Sequence, residues 1–271
     1  MEVVAREYPQ KLIGLVIYST RADIRALSPA IPKGDDNLNS NEGVAVIEAG
    51  RVDEQELVAV SARLESLPIR EAAVGAIAWV VENFGDSYAV ASSFQDAVLV
   101  DLAIKADPSA EIVFLDTEYH FPETLAFVER LRKSWKLNLT TTHPAIGREE
   151  SPCGSPGCCQ LRKVEPLNAA LKGKAAWVTG LKRVDTPERE GAPIVAWDPQ
   201  RNMVKVNPLA TWTDEDIDEY LAEKGLPLHP LTYVGYVSIG CAPTTQPVAD
   251  GHHPREGRWP GSDKTECGLH V

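Results

Sequence analysis

The clearest pattern in the chain is an alternation of apolar runs and amphipathic stretches that sets in near Val52. Leu57, Val60, Leu64 and Leu67 recur at helical spacing until Pro68 interrupts them. A second helix is predicted over 70–83, stopped by Gly85. Strand and helix then take turns. Residues 88–91 read as a short apolar strand and 97–105 as a helix. Residues 111–115 read as a second strand, 122–135 as a helix and 137–142 as a third strand. Pro152, Gly154, Pro156 and Gly157 break the segment 147–157 into loop. A helix from about Cys159 to Leu171 and a fourth strand over 175–179 follow. Two more strands are expected around 194–197 and 203–206. Thr213 caps a helix that begins Asp214-Glu215-Asp216, runs to Glu223 and ends at Gly225. Repeated strand–helix units imply an α/β fold, a mostly parallel sheet flanked by helices. Beyond Pro227 the chain is rich in Pro and Gly and carries little period. Before Val52 the pattern is weak. Residues 12–18 are a candidate strand and 29–41 read as a polar linker, so 1–51 are expected to form a poorly ordered N-terminal extension.

Composition narrows the function classes. With 44% hydrophobic and 24% charged residues the chain is that of a soluble globular protein. A net charge of −12 argues against sequence-independent nucleic-acid binding, which needs a basic surface, but leaves room for a small anion in a local basic pocket. No apolar run approaches a membrane span, and Glu2 with no apolar run behind it argues against a secretory signal. The expected setting is therefore cytoplasmic. Five cysteines, two of them adjacent, make a poor disulfide framework and point to metal binding or catalysis.

Candidate chemistry collects at strand ends, where open α/β sheets bind ligands. Ser92-Ser93-Phe94-Gln95-Asp96 offers hydroxyls and a helix start to a phosphate or sulfate, although the same residues cap helices that bind nothing. Leu115-Asp116-Thr117 ends the second strand. Lys182, Arg183 and Arg189 follow the fourth and suggest an anion site. Cys158 and Cys159 open a helix beside Arg162 and Lys163, which favours thiolates. With Cys241 they suggest an iron–sulfur cluster or a zinc site, both of which ordinarily take four protein ligands. Arg255 and Arg258 can present paired forks to an anion. The tail, Lys264 to Val271, carries Cys267 between Glu266 and Gly268, with His270 in the same turn. A terminus suits a nucleophile that swings into a pocket, and it also suits an unremarkable exposed thiol.

Taken together, the motifs resemble the assimilatory sulfonucleotide reductases, above all the bacterial adenosine 5′-phosphosulfate (APS) reductases. The resemblance spans about 52–271 and rests on SSFQDAVL (92–99), FLDTEYHFPET (114–124), CCQLRKVEPL (158–167), WVTGLKRVDTPER (177–189), GYVSIGCAP (235–243), REGRW (255–259) and KTECGLH (264–270). It implies an adenine-nucleotide α-hydrolase-like fold, with a nucleotide-binding reductase domain over 52–260 and a flexible catalytic tail over 261–271. It also implies thioredoxin-dependent reduction of APS to sulfite and AMP through a thiosulfonate on Cys267. Thioredoxin or a similar dithiol would be the partner, and a homo-oligomer is left open. Lys163, Arg255, Arg258 and His270 are the implied activators of the thiolate. Lys163, Arg189, Arg255 and Arg258 would neutralise the phosphosulfate, and Ser92, Ser93 and Leu115 would surround the nucleotide. The implied cofactor is a [4Fe–4S] cluster on Cys158, Cys159 and Cys241.

The chain departs from the family in two places. Its second cluster motif reads Cys241-Ala242-Pro243-Thr244, so a neutral hydroxyl stands where the family has the fourth cysteine. Cys153, His252, His253 or a water are the candidate substitutes, and the cluster is expected to be incomplete or labile. Glu118 stands where the family often has Gly, and the loop over 144–157 reads as shorter than usual. Two other functions stay open. A cluster-free reductase of 3′-phosphoadenosine 5′-phosphosulfate (PAPS) is disfavoured by the three retained thiols. A non-catalytic relative is favoured by Thr244 and disfavoured by the intact tail motif.

Overall fold

A computed structural model describes residues 53–249, 251–262 and 264–270. The candidate strand at 12–18 and the linker at 29–41 lie outside the described residues. Helix α1 (Glu54–Glu65) is capped by the Asp53 carboxylate, which accepts from the Gln55 N–H at 2.9 Å. It buries Leu57, Val60 and Leu64, the face that the spacing predicts. Pro68 precedes α2 (Ile69–Phe84), and Gly85 ends it at φ +51°, a conformation costly for residues with a Cβ. The alternation continues through β1 (Tyr88–Ala91), α3 (Val98–Ala106), β2 (Glu111–Leu115), α4 (Pro122–Ser134) and β3 (Asn138–Thr142).

The predicted helix over 159–171 is two pieces. A π-helical turn at Gln160–Val164 runs into the short helix α5 (Glu165–Ala170). Pro166 lacks the N–H that would bond the Arg162 carbonyl, and the Glu165 N–H reaches back five residues to the Gln160 carbonyl instead. Then come β4 (Ala176–Thr179), β5 (Val195–Asp198), β6 (Met203–Val206) and α6 (Asp214–Lys224). Thr213 and Asp216 cap α6 reciprocally, and Gly225 closes it in the left-handed region.

The six strands form one sheet in the order β3-β2-β1-β4-β6-β5. All neighbours run parallel except β5, which returns antiparallel on β6. Strand order reverses at β1, which pairs with β2 on one side and β4 on the other, and such a switch point opens a crevice at the carboxyl ends. Successive strand residues face opposite sides. Val90, Ile112, Val178 and Val204 face the main core with α1 to α4 and α6. Ala89, Val113, Trp177 and Met203 face a smaller core with Leu167 and Leu171, and Leu269 of the tail packs onto it. The tail therefore helps cover one face of the sheet. No described helix is long and apolar enough to cross a membrane.

Candidate active site

The loop after β1 sets one wall of the crevice. Phe94 takes φ +54° and is fully buried, edge-on to Phe114 at 5.7 Å. That buried ring fixes the sharp turn, and Ser92 and Ser93 line the cavity beside it. Asp96 accepts from the Val98 N–H at 2.9 Å and so caps α3. Gln95 accepts from the Ile239 N–H at 3.0 Å, which ties the chain before Cys241 to this loop.

A cavity of about 190 Å³ opens at the carboxyl ends of β1, β2 and β4. Ser92, Ser93, Leu115, Lys163, Arg189, Arg255, Arg258, Cys267 and His270 all line it, so residues spread over 179 positions of sequence meet in one place (92 to 270). Cys267 is half-buried. Lys163, Arg255 and Arg258 all lie within electrostatic range of it. Burial alone would pull Lys163 down, but its interactions with Cys241 and Cys267 outweigh that and raise it. Burial lowers Arg255 and Arg258, helped by repulsion from Arg189 on the first and from Arg255 on the second, yet guanidinium starts so high that both stay charged. Arg255 Nε, Arg258 Nε and His270 Nδ1 are buried without a hydrogen-bond partner among the described residues, so the wall has polar atoms to offer a ligand.

The tail is docked. Arg189 grips Glu266 with two bonds, Nε to Oε1 at 2.5 Å and Nη2 to Oε2 at 2.8 Å, and the Thr186 hydroxyl adds a third at 2.9 Å. Arg255 donates to the Thr265 carbonyl at 2.8 Å, and Thr265 donates to Glu188 at 2.9 Å. His270 lies flat on Trp177, with centroids 6.0 Å apart and planes 8° from parallel. Burial, then Lys205 and Arg189, hold the His270 imidazole well below its usual range, so it is neutral in this position. It is therefore not one of the cations around Cys267.

Of the cations after β4, Lys182 and Arg189 line the cavity and Arg183 does not. Lys182 pairs with Asp214 and, at 3.5 Å, with Asp185. Arg183 pairs with Glu65 at 2.7 Å and donates to the Ala192 carbonyl at 2.8 Å. Asp185 is local, whereas Glu65 of α1 and Asp214 of α6 come from far off, and nothing in the sequence near Lys182 reveals those two. Glu266 and Trp177 are the residues that sequence reasoning missed. Neither has a local signal, since each acquires its role from a partner more than 75 residues away.

Beside this cavity lies a small one lined by Cys153, Cys158, Cys159, Cys241 and Thr244, with Lys163, Arg162 and Arg258. Cys158 and Cys159 sulfurs are 4.0 Å apart, and the Gly154 N–H donates to Cys158 at 3.3 Å. The Thr117 hydroxyl meets Cys241 at 3.4 Å, and Lys264 from the tail donates to Cys159 at 3.2 Å. The hydrogen bond with Cys153 and the charge of Lys163 together hold the Cys241 thiol below its usual range despite burial. All five cysteines are unpaired. Among the described residues, no three His, Cys, Asp or Glu side chains converge on a point that would hold a single metal ion. His252 and His253 sit on an exposed turn, bonded to Glu256 and to their own backbone, and do not line this cavity.

Comparison with known proteins gives consistent results. The model of the phosphoadenosine phosphosulfate reductase domain matches residues 87–247. A protein of Mycolicibacterium smegmatis named adenosine 5′-phosphosulfate reductase is 46% identical over 71% of this chain and 86% of its own. One of Mycobacterium tuberculosis with the same name is 42% identical over 83% of this chain and 98% of its own. Among solved structures, a phosphoadenylyl-sulfate (PAPS) reductase of Candida auris superposes with a TM-score of 0.60 at 24% identity, over 72% of this chain and 98% of that one. An FMN adenylyltransferase of Candida glabrata superposes at 0.52 with 14% identity, over 79% and 82%. At such identities these two speak to the fold alone.

Proposed function

The chain belongs to the phosphoadenosine phosphosulfate reductase family, and from that premise we propose that it reduces APS to sulfite and AMP, with thioredoxin or a similar dithiol as donor. Its fold is adenine-nucleotide α-hydrolase-like, as the motifs imply. The observation that carries the proposal is Cys267 docked over a cavity whose wall holds Lys163, Arg255 and Arg258.

In this reading residues 52–260 form the nucleotide-binding reductase domain and 261–271 a mobile catalytic tail. Ser92, Ser93 and Leu115 border the nucleotide. The phosphosulfate lies against Lys163, Arg255 and Arg258, which stabilise the charge that develops on it. Arg189 joins them once Glu266 lets go. The Cys267 thiolate, favoured by the same cations, attacks the sulfur of APS. An S–S bond forms, the S–O bond to the nucleotide phosphate breaks, and AMP leaves with that electron pair. One thiol of the donor then attacks the Cys267 sulfur and sulfite departs. The donor's second thiol closes its disulfide and returns Cys267 as a thiol. The tail must leave the cavity for the second half, and its few polar contacts support such a gate. The closed cavity is smaller than the roughly 300–1,000 Å³ usual for small-molecule sites, which also supports opening before the nucleotide enters. A donor of this type and unpaired cysteines suit a reducing compartment, so the proposed setting is the cytoplasm.

The reading includes a [4Fe–4S] cluster, and the donor set fits it. Cysteine thiols surround one cavity, as a body bound at its corners requires, and Lys163, Arg258 and Lys264 offset their charge. Cys158, Cys159 and Cys241 would hold it. When bound, such a cluster supplies a compact anionic centre that cross-links the cysteine loops beside Lys163.

The test is sulfite release from APS and from PAPS by anaerobically purified protein with thioredoxin. APS is expected to be strongly preferred, in line with the names of the relatives at 42–46% identity. Cys267→Ser is expected to abolish the activity, and sulfite formation unaffected by that change rejects the mechanism. A preference for PAPS would transfer the chemistry intact to the second substrate.

A further inference from the structure

The position that should carry the fourth cluster ligand holds Thr244, a hydroxyl that competes poorly for iron beside thiolates. We infer that Cys153 supplies the missing thiolate, so that the ligand set is Cys153, Cys158, Cys159 and Cys241. This rests on the reductase reading with its cluster and adds a ligand from outside the paired-cysteine motifs.

Three observations converge. The Cys153 sulfur lies 3.7 Å from Thr244 Oγ1, the atom whose place a cysteine sulfur would take, and it lines the same cavity as the other three thiols. Thr244 itself is used as wall. Its hydroxyl donates to the Cys241 carbonyl at 3.4 Å, and its methyl packs where a Cβ on residue 154 would come within 3.4 Å of it. Gly154, at φ +91°, lets the chain beside Cys153 pass that close.

The third observation is a buried clamp that holds the loop in place. Arg162 is 2% exposed and donates to the Ser151 carbonyl at 2.8 Å and the Gly147 carbonyl at 2.6 Å. The same guanidinium reaches Glu118 at 3.0 Å and the Thr117 carbonyl at 3.4 Å, while the Thr117 hydroxyl touches Cys241. One side chain thus fastens the segment leading into Cys153 to the segment that braces Cys241. Glu118 adopts φ +63°, a strained choice for a residue with a Cβ, and its carboxylate completes the clamp. The two departures from the family pattern, Thr244 and Glu118, therefore belong to one arrangement. On cluster binding the Cys153 S–H bond gives way to an S–Fe bond and the proton is released.

The experiment measures iron and acid-labile sulfide per chain, with low-temperature EPR, on full-length protein isolated and reconstituted anaerobically. The parent is expected to hold about four irons. Cys153→Ser is expected to fall to about three or fewer and to show a three-iron signal after mild oxidation. Thr244→Cys alone should leave iron unchanged, whereas adding Thr244→Cys to Cys153→Ser should restore about four irons. Far-UV circular dichroism checks that the variants fold. If Cys153→Ser is insoluble, the double variant decides, since failure to regain iron there overturns the inference. A parent with about four irons that Cys153→Ser leaves unchanged overturns the assignment and spares the cluster. So does a parent with fewer irons that Thr244→Cys completes. A parent that takes up no iron overturns cluster and assignment together, and the sulfite assay reports separately on the reductase reading.

Discussion

Cys267 and Cys241 both face Lys163, yet one rides a docked tail and the other a buried turn. Cys267 is half-buried, with a cavity and three cations beside it, and its segment is held by Arg189 on Glu266 and by Arg255 on the Thr265 carbonyl. Cys241 is buried, bonded to Thr117, and shares its cavity with three other thiols, the segment before one of them, Cys153, being held by Arg162. The functional group is the same in both places, and Lys163 lies within electrostatic range of both. What differs is how many thiols converge and whether the backbone can leave. A solitary thiol on a releasable segment suits a nucleophile that must be handed to a second protein, and a fixed group of thiols suits a bound cluster.

The comparison breaks most visibly at the shared cation. Lys163→Met is expected to lower the sulfite-forming rate by roughly 10²-fold, the size seen when one preorganised donor to a developing charge is removed. A change below about threefold would show that Lys163 serves neither thiol in the reaction.

A smaller effect is expected from loosening the tail. Glu266→Gln removes the charge that Arg189 grips, so a neutral thiol reagent should label Cys267 about tenfold faster, with Cys153, Cys158 and Cys241 unchanged. Acid should act the same way. Docking depresses His270, so docking stability is complete above about pH 6.5, the ordinary histidine value, and is lost progressively as pH falls below it. Labelling relative to thiolate fraction should therefore rise below that pH, and His270→Asn should flatten the rise. A profile indifferent to His270 would place the latch elsewhere.

The smallest effect concerns the clamp. Glu118→Gly relieves the φ +63° strain and loses the ion pair with Arg162. The two are of similar size, so thermal unfolding should give a stability within about 1 kcal/mol of the parent. A loss of several kcal/mol would mean that the clamp depends on the carboxylate itself.

Much of this was legible along the chain where the cause is local. Leu57, Val60 and Leu64 mark their helix by period, Thr213 and Gly225 mark the ends of α6, and the serines of the first loop follow a strand that any reader would draw. The π-helical turn escaped because its cause, Pro166, sits downstream of the segment that it widens. The ion pairs of Lys182 and Arg183 are hidden in the sequence because their carboxylates come from Asp214 and Glu65, far off along the chain. Glu266 carries no local signal, because its role comes from Arg189, 77 positions earlier. Cys153 is already a candidate to stand in at the Thr244 position, but with 91 positions between them no spacing rule chooses it over His252, His253 or a water.

The central claim is that Cys267 alone attacks the substrate sulfur. Reduced protein, freed of dithiol and held anaerobically, is mixed with APS, and each cysteine-bearing peptide is weighed. The account predicts one added SO₃ unit on the peptide containing Cys267, none on the peptides of Cys153, Cys158, Cys159 or Cys241, and release of that unit as sulfite when thioredoxin is added. AMP release with an unmodified tail, or the added unit on any of the other four cysteines, would contradict it.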